Sequence, residues 1–155
     1  MAALIPTDTN YLAQVASFAN VASRPTKSPS FGGQDRSIYV QYTLLGTEGN
    51  GDTLALAYLP KGARLKRNTS CVELLDPGTT LTMDVGTLAN PDNFADGMVL
   101  SAGGAIGFGS TVTTDATSLV PVVLTDNTLI QATFVTTGTL TAGVILYFTL
   151  SWSEF

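Results

Sequence analysis

The chain has 155 residues, a mass of 16.2 kDa, 45% apolar and 12% charged residues, and a net charge of −5. This size fits one domain, the low charged share excludes a charged coiled coil or a charge-driven disordered chain, and no apolar run reaches the ~18 residues of a membrane span. Because histidine is absent and Cys71 is the only thiol, histidine-dependent nucleophiles, histidine-ligated zinc and an intrachain disulfide are excluded. We expect no catalytic residue, no cofactor and no metal ion.

Residues 1–36 are predicted to form an extended N-terminal arm. The first part has weak helical spacing, and residues 23–33 are rich in proline, serine and glycine, which is typical of an irregular, extended segment. Such a segment is either a disordered leader or an arm that lies along a neighbouring subunit, and the sequence leaves both open. Tyr11, Phe18 and Phe31 are apolar anchors that a solvated tail does not need. We take them as candidate partner-binding residues.

From Ser37 onward the pattern is typical of β-strands, with alternating and β-branched residues separated by turn residues. The predicted strands are residues 38–45, 53–59, 63–75, 80–85, 98–102, 119–124, 128–137 and 143–152. Asn50-Gly51 stands between the first two and predicts a hairpin there, and residues 88–97 are predicted to be a loop or one helical turn. About eight strands with turns every ~8–12 residues predict an antiparallel β-sandwich, a jelly roll or a small barrel over residues 37–155.

Charge is distributed unevenly along the chain. All seven basic residues precede position 68, so residues 1–67 carry a net +3 and the remainder carries −8. The densest basic cluster, which we take as candidate partner-binding residues, consists of Lys61, Arg64, Lys66 and Arg67. It is a phosphate site, a solvated strand face or an ion-pair patch between subunits, and a polarised chain suits head-to-tail packing of copies. A pI of about 4.3 argues against a nucleic-acid partner.

Other polar groups have ordinary structural explanations beside their functional ones. Asp84, Asp92 and Asp96, together with Asn90 and Asn93, are a possible source of calcium ligands. They lack the EF-hand spacing, and Asn-Pro-Asp-Asn is also ordinary turn sequence. The glycine-rich residues 103–109 lack the Lys-Ser/Thr of a phosphate-binding loop, and they indicate bulges or close backbone approach. Cys71 is predicted to be a small buried hydrophobic residue. An enzyme that acts through carboxylates alone is the least favoured alternative.

Aromatic and threonine residues characterise the C-terminal part of the chain. The last predicted strand and its end carry four aromatic residues, Tyr147, Phe148, Trp152 and Phe155. They are either core residues plus an exposed edge or a platform for a carbohydrate. Threonine is abundant and favours extended chain, and a surface of threonine, serine and asparagine with few charges is easily desolvated against a similar surface. Coat and fibre proteins assemble in this way.

Three runs in the middle of the chain carry a resemblance to a known class of protein. They are LPKGARL at 59–65, LTMDVG at 81–86 and NPDNFADG at 90–97. Together they resemble small virion proteins of tailed bacteriophages, in particular head decoration (cement) proteins. The resemblance covers about 40 residues and implies a protein with no active site. Such proteins bind the major capsid protein on the outer capsid surface, often as trimers, and stabilise the head. It transfers no site residues.

The resemblance and the residue patterns together predict a capsid decoration protein of a phage, assembled in the host cytoplasm and located on the virion surface. We expect the major capsid protein as its partner and a homo-oligomer, with a trimer favoured over a dimer, and no nucleic-acid or membrane partner. The alternative is a receptor- or glycan-binding fibre or knob module of a phage particle.

Overall fold

The computed structural model describes residues 3–4, 34–74, 79–100, 104–110 and 123–154. These residues form ten β-strands and one short 3-10 helix. In chain order the elements are β1 (Ala3–Leu4), β2 (Gln34–Thr43), β3 (Thr53–Leu59), β4 (Ala63–Leu65), β5 (Cys71–Leu74), β6 (Leu81–Gly86), β7 (Ala95–Leu100), β8 (Gly104–Gly107), the 3-10 helix (Phe108–Ser110), β9 (Thr128–Thr137) and β10 (Ile145–Glu154). Apart from β1, the predicted arm lies outside the described residues up to Gln34, where β2 begins.

The strands form two sheets that pack face to face. The first sheet has the order β1-β3-β9-β6-β7, and the second has the order β2-β10-β5-β8, with β4 also paired to β10. All of these pairs are antiparallel except β1 with β3, which is parallel. Tyr42 of β2 contacts Phe134 of β9 edge to face across the core, with ring centroids 6.4 Å apart. The predicted all-β sandwich is confirmed.

Strand β10 is the central strand of the second sheet, and its sequence alternates accordingly. It pairs with β2 along all ten residues on one side, and with β5 and then β4 on the other. The side chains that it buries in the core are Leu146, Phe148, Leu150 and Trp152. Phe148 lies between Val40 and Val72 of the neighbouring strands, so each core position of β10 is flanked by apolar residues. The residues between them face away from the core.

The predicted hairpin at Asn50-Gly51 is wrong, because β2 and β3 lie in different sheets. Gly51 does adopt the positive φ of 85° that glycine favours, but its amide donates to the carbonyl of Phe134 on β9 at 2.6 Å. The inward-facing residues of β2 and β3 are apolar, and placing the two strands in facing sheets buries both sets in the core. Residues 44–52 are long enough to connect the two sheets. The turn at Asn50-Gly51 therefore belongs to a connection between the sheets and not to a hairpin.

Two further predictions are wrong at the level of strand boundaries. The strand predicted at 63–75 is interrupted: residues 63–74 contain β4 and β5, because residues 66–70 between them are not part of a strand. Strand β7 begins at Ala95, within the segment that we predicted as a loop. The Asp96-Gly97 dipeptide, a turn signal by sequence, lies inside β7, where Gly97 has a φ of 64° and the pairing with β6 shifts register. The positive φ of Gly97 therefore belongs to a β-bulge inside β7 and not to the turn that the sequence predicted.

We predict that Gly86→Ala lowers the free energy of unfolding by about 1–3 kcal/mol. A Cβ atom at Gly86 would lie 2.2 Å from the carbonyl oxygen of Asn90 and 2.4 Å from backbone atoms of Pro91. These are backbone atoms, so the loop after β6 must move, and the hydrogen bond from the Thr87 amide to the Asn90 carbonyl (2.8 Å) moves with it. Urea unfolding measures the loss.

The matched control for this substitution is Gly49→Ala. A Cβ atom at Gly49 meets only a carboxylate oxygen of Asp52, at 3.7 Å, and its φ is not positive. We therefore expect a change below about 0.5 kcal/mol in this variant. Equal effects at the two glycines would contradict the account of the loop after β6.

Candidate interaction surface

The four residues of the predicted basic cluster lie in and around β4, but their surroundings differ. Lys61, in the turn before β4, and Arg64, on β4, are exposed. Lys66 forms an ion pair with Asp35 of β2, with 2.5 Å between its Nζ and Oδ2. Arg67 donates to the carbonyl of Asn93 in the loop between β6 and β7. Lys61 and Arg64 are therefore exposed, whereas Lys66 and Arg67 are partly buried.

Arg67 links the two sheets. Its guanidinium lies beside the loop that precedes β7, and burial lowers the pKa of Arg67 from its ordinary value. The acceptor is a backbone carbonyl 26 residues away along the chain. Because a backbone acceptor has no signal in the amino-acid sequence, the spacing of the basic residues did not reveal this structural role.

The outer face of the second sheet presents uncharged polar and aromatic side chains. Its members are the residues whose neighbours along each strand point into the core. We call this surface the tyrosine face, and it consists of Ser37, Tyr39, Gln41, Thr43, Cys71, Glu73, Ile145, Tyr147 and Thr149. Glu73 is its one charged residue. Cys71 was predicted to be buried, but it is partly exposed here, because it faces outward while its neighbour Val72 faces the core.

Two tyrosines form the centre of this face. Tyr39 is 72% exposed and Tyr147 is 38% exposed. Tyr39 lies opposite Thr149, and Tyr147 lies between Gln41 and Glu73. The two tyrosines are therefore diagonal neighbours, close enough for long side chains to interact. Large exposed aromatic side chains among mostly uncharged residues are typical of an interaction surface.

The other described aromatic residues of the last strand do not belong to this surface. Phe148 and Trp152 are buried in the core, and Phe155 lies outside the described residues. Tyr11, Phe18 and Phe31, the anchors predicted in the arm, also lie outside them. The only tryptophan that a carbohydrate-binding platform of C-terminal aromatic residues would have, Trp152, is therefore buried in the core.

A charged crossing closes one end of the tyrosine face. The Lys66 amide donates to the Ser151 carbonyl at 2.7 Å on one side of β10, whereas its partner Asp35 belongs to β2 on the other side. The Lys66 side chain therefore passes over β10. This crossing explains why Ser151 and Ser153 are buried although they face outward.

Asp84 is a partly buried carboxylate on β6. It lies on the outer side of β6 and accepts a hydrogen bond from the Gly97 amide at 2.7 Å. Burial raises the pKa of Asp84, the Gly97 hydrogen bond opposes that rise, and the charges of Asp96 and Asp92 add to it. Among the residues that the structure describes, no group of three such side chains is placed to hold a metal ion.

The direction of this shift predicts a pH dependence. A raised pKa means that the native state keeps the Asp84 proton to higher pH than the unfolded chain does. The stability contributed is fully present below the unfolded pKa and is lost as the pH rises through the native pKa. Asp84→Asn keeps an acceptor for the Gly97 amide. We expect this variant to be more stable than the wild type at neutral pH, and we expect this advantage to shrink as the pH falls and Asp84 of the wild type becomes protonated.

Urea unfolding of both proteins across the acidic to neutral range measures this difference. Asp126→Asn, at an exposed turn, is the control for removing one negative charge. A stability difference between wild type and Asp84→Asn that does not change with pH would contradict the burial of this carboxylate.

Comparison with known proteins concerns the fold. No protein-family model matches the chain, and no curated protein matches it significantly. Among solved structures it matches a chain of the capsid of Ralstonia phage GP4, with a TM-score of 0.63 and 18% identity over 99% of both chains. It also matches a chain of the cyanophage Pam1 capsid asymmetric unit, with a TM-score of 0.56 and 16% identity over 86% of this chain and 96% of that one.

This chain shares its fold with chains of two phage capsids. The match to the GP4 chain extends over nearly the full length of both chains. In the part of the chain that the structure describes, no helix is long and apolar enough to cross a membrane.

Proposed function

We propose that the protein is a structural component of a phage virion that binds the outer surface of the capsid and stabilises the head, as a decoration or cement protein does. The observation that carries the proposal is the fold match to a chain of the GP4 capsid over 99% of both chains. The sequence runs that resemble decoration proteins support it independently. The proposed role involves no reaction, and the proposed location is the capsid surface.

The mechanism is thermodynamic. Each copy buries surface against neighbouring capsid subunits, and a specific protein interface buries about 1,200–2,000 Å² in total. Repetition over the shell holds neighbouring capsomers together through many such contacts. The proposed partner is the major capsid protein of the same particle.

The proposed contacts to the shell are the arm and the outward part of the basic cluster. In the arm they are Tyr11, Phe18 and Phe31. In the cluster, Lys61 is exposed in the turn before β4, and its amide is fixed by the side chain of Asn127 at 3.0 Å. A fixed turn presents the ammonium group at a defined place, and an acidic shell would attract it. Binding through Lys61 should weaken with salt.

The experiment uses phage particles that lack the chain, to which the purified protein is added before sedimentation. We expect many copies to bind per particle, the particles to resist heat better, and Lys61→Glu to reduce retention at low salt. Lys61→Arg, which keeps the charge, is the matched control. Failure of the protein to bind such particles would overturn the proposal. Binding of a few copies at the tail alone would favour a receptor- or glycan-binding module instead.

A further inference from the structure

We propose that the chain has two sites of spontaneous backbone modification, Asn50-Gly51 and Asp96-Gly97, and that the fold suppresses the reaction at both by holding the glycine amide in a hydrogen bond. These are the only places in the sequence where asparagine or aspartate precedes glycine. The modification is the formation of a cyclic succinimide, which leads to isoaspartate. This inference goes beyond the proposed capsid role and does not depend on it.

Both dipeptides carry the atoms that the reaction needs. The backbone nitrogen of the glycine loses its proton and attacks the side-chain Cγ of the residue before it, which closes a ring. At Asn50 the bond from Cγ to Nδ2 then breaks and ammonia leaves, whereas at Asp96 water leaves. Solvent water opens the ring at either carbonyl and gives aspartate or isoaspartate. Glycine favours the attack because it has no side chain to shield the nitrogen.

The fold requires glycine at both positions, so the reactive dipeptides are built into it. Gly51 has a φ of 85° and Gly97 has a φ of 64°, which other residues rarely adopt. Gly51 lies in the connection from β2 to β3. In β7, Asp96 and Gly97 together lie opposite the single residue Asp84 of β6, which is the arrangement of a β-bulge.

The amide of Gly51 is bound to a strand of the first sheet. It donates to the carbonyl of Phe134 on β9 at 2.6 Å, and the Phe134 amide donates back to the carbonyl of Asp52 at 2.9 Å. These two hydrogen bonds continue the pairing of β3 with β9 beyond Thr53. The Gly51 nitrogen must give up its hydrogen bond before it can attack Asn50, and the second hydrogen bond restrains the backbone rotation that the attack needs.

The amide of Gly97 is bound by a side chain. A bulge disrupts the strand ladder locally, and here Oδ1 of Asp84 accepts from the Gly97 amide at 2.7 Å. Both residues are partly buried. A hydrogen bond to a charged acceptor is stronger than one to a neutral acceptor, and the charge of an ionised Asp84 also opposes loss of the amide proton beside it. Asp84 is therefore a positioning residue that suppresses the reaction at Asp96.

The strength of these hydrogen bonds sets the size of the protection. Because the reaction must break the hydrogen bond before the nitrogen attacks, the free energy of that bond adds to the barrier. A hydrogen bond to a charged group therefore slows the reaction by about tenfold or more, and one to a neutral group slows it severalfold. The restrained backbone around each glycine adds to this effect in the native chain.

The first test compares the native full chain with the chain unfolded in guanidinium chloride, both incubated in warm neutral buffer. Protease digestion and mass spectrometry measure the mass gain on deamidation at Asn50, and the chromatographic retention of the peptide reports isoaspartate at Asp96. We expect both reactions to be at least about tenfold slower in the native chain. Amide hydrogen exchange should be slow at Gly51 and Gly97. Equal reaction rates in the two states, or fast exchange at either glycine, would overturn the proposal.

The second test compares Asp84→Ala with Asp84→Asn. Both variants remove the charge, but only Asp84→Asn keeps an acceptor for the Gly97 amide, so isoaspartate at Asp96 should form severalfold faster in Asp84→Ala. Asn50 is the control within each sample, because the carbonyl that binds the Gly51 amide is unchanged in both variants. Equal rates at Asp96 in the two variants would overturn the proposal. A rise at Asn50 as large as the rise at Asp96 would overturn it as well, since unfolding would then control both reactions.

Discussion

Replacement of Phe134 by alanine is expected to lower the free energy of unfolding by about 3–5 kcal/mol. Phe134 lies fully buried on β9 and contacts Tyr42 of the opposite sheet edge to face. The substitution removes a large apolar surface and leaves a cavity where the two sheets meet. Because Phe134 also lies opposite Met83 of β6, packing within the first sheet is lost together with packing between the sheets.

Urea unfolding followed by tryptophan fluorescence measures this effect, since Trp152 is buried in the same core. The neighbouring Val135→Ala is the matched control on the outer side of the same strand, and we expect it to cost below about 1 kcal/mol. A loss in Phe134→Ala no larger than the loss in Val135→Ala would contradict the assignment of the two faces of β9.

Glu48→Ala is expected to cost about 3 kcal/mol, although the residue lies in a loop. Glu48 is only 6% exposed. It accepts hydrogen bonds from the Tyr42 hydroxyl at 2.9 Å, the Leu45 amide at 2.5 Å and the Gly46 amide at 2.9 Å. Removing it leaves three donors without their acceptor. Burial, together with the Glu48 carboxylate, raises the pKa of Tyr42 well above its usual range, so this hydroxyl stays a donor.

Thermal and urea unfolding of Glu48→Ala should be compared with those of Tyr42→Phe. The phenylalanine variant removes one donor and leaves the carboxylate with both amides, so we expect a smaller loss of about 1–2 kcal/mol. If Glu48→Ala were the less damaging of the two, the carboxylate would not organise the crossing between the sheets.

The sequence predicted the strands well where one face is buried. Strand β3 matches its prediction because Leu54, Leu56 and Leu59 are core residues of a half-buried strand bounded by turn residues. Which strands become neighbours was not predictable from such local patterns. Asn50-Gly51 gives the same signal in a hairpin and in a sheet crossing, and the difference lies in the contacts of Glu48 and Gly51 with residues elsewhere in the fold.

The candidate surface was predictable only in part. Tyr147 was recognised as an aromatic residue of the last strand, but its neighbour Tyr39 comes from β2, more than a hundred residues earlier, and only the pairing of β2 with β10 brings them together. The basic cluster was visible as a run of charges. The ion pair of Lys66 with Asp35 depends on the same strand pairing, so spacing along the chain did not reveal it.

The most direct test of the proposed role is a cryo-EM reconstruction of intact particles of the phage that is proposed to carry this chain. The account predicts β-sandwich density of this fold repeated over the outer surface of the shell, with contacts to several capsid subunits in each copy. A shell whose outer surface carries no such density, with the protein absent from the particle or restricted to its tail, would contradict it.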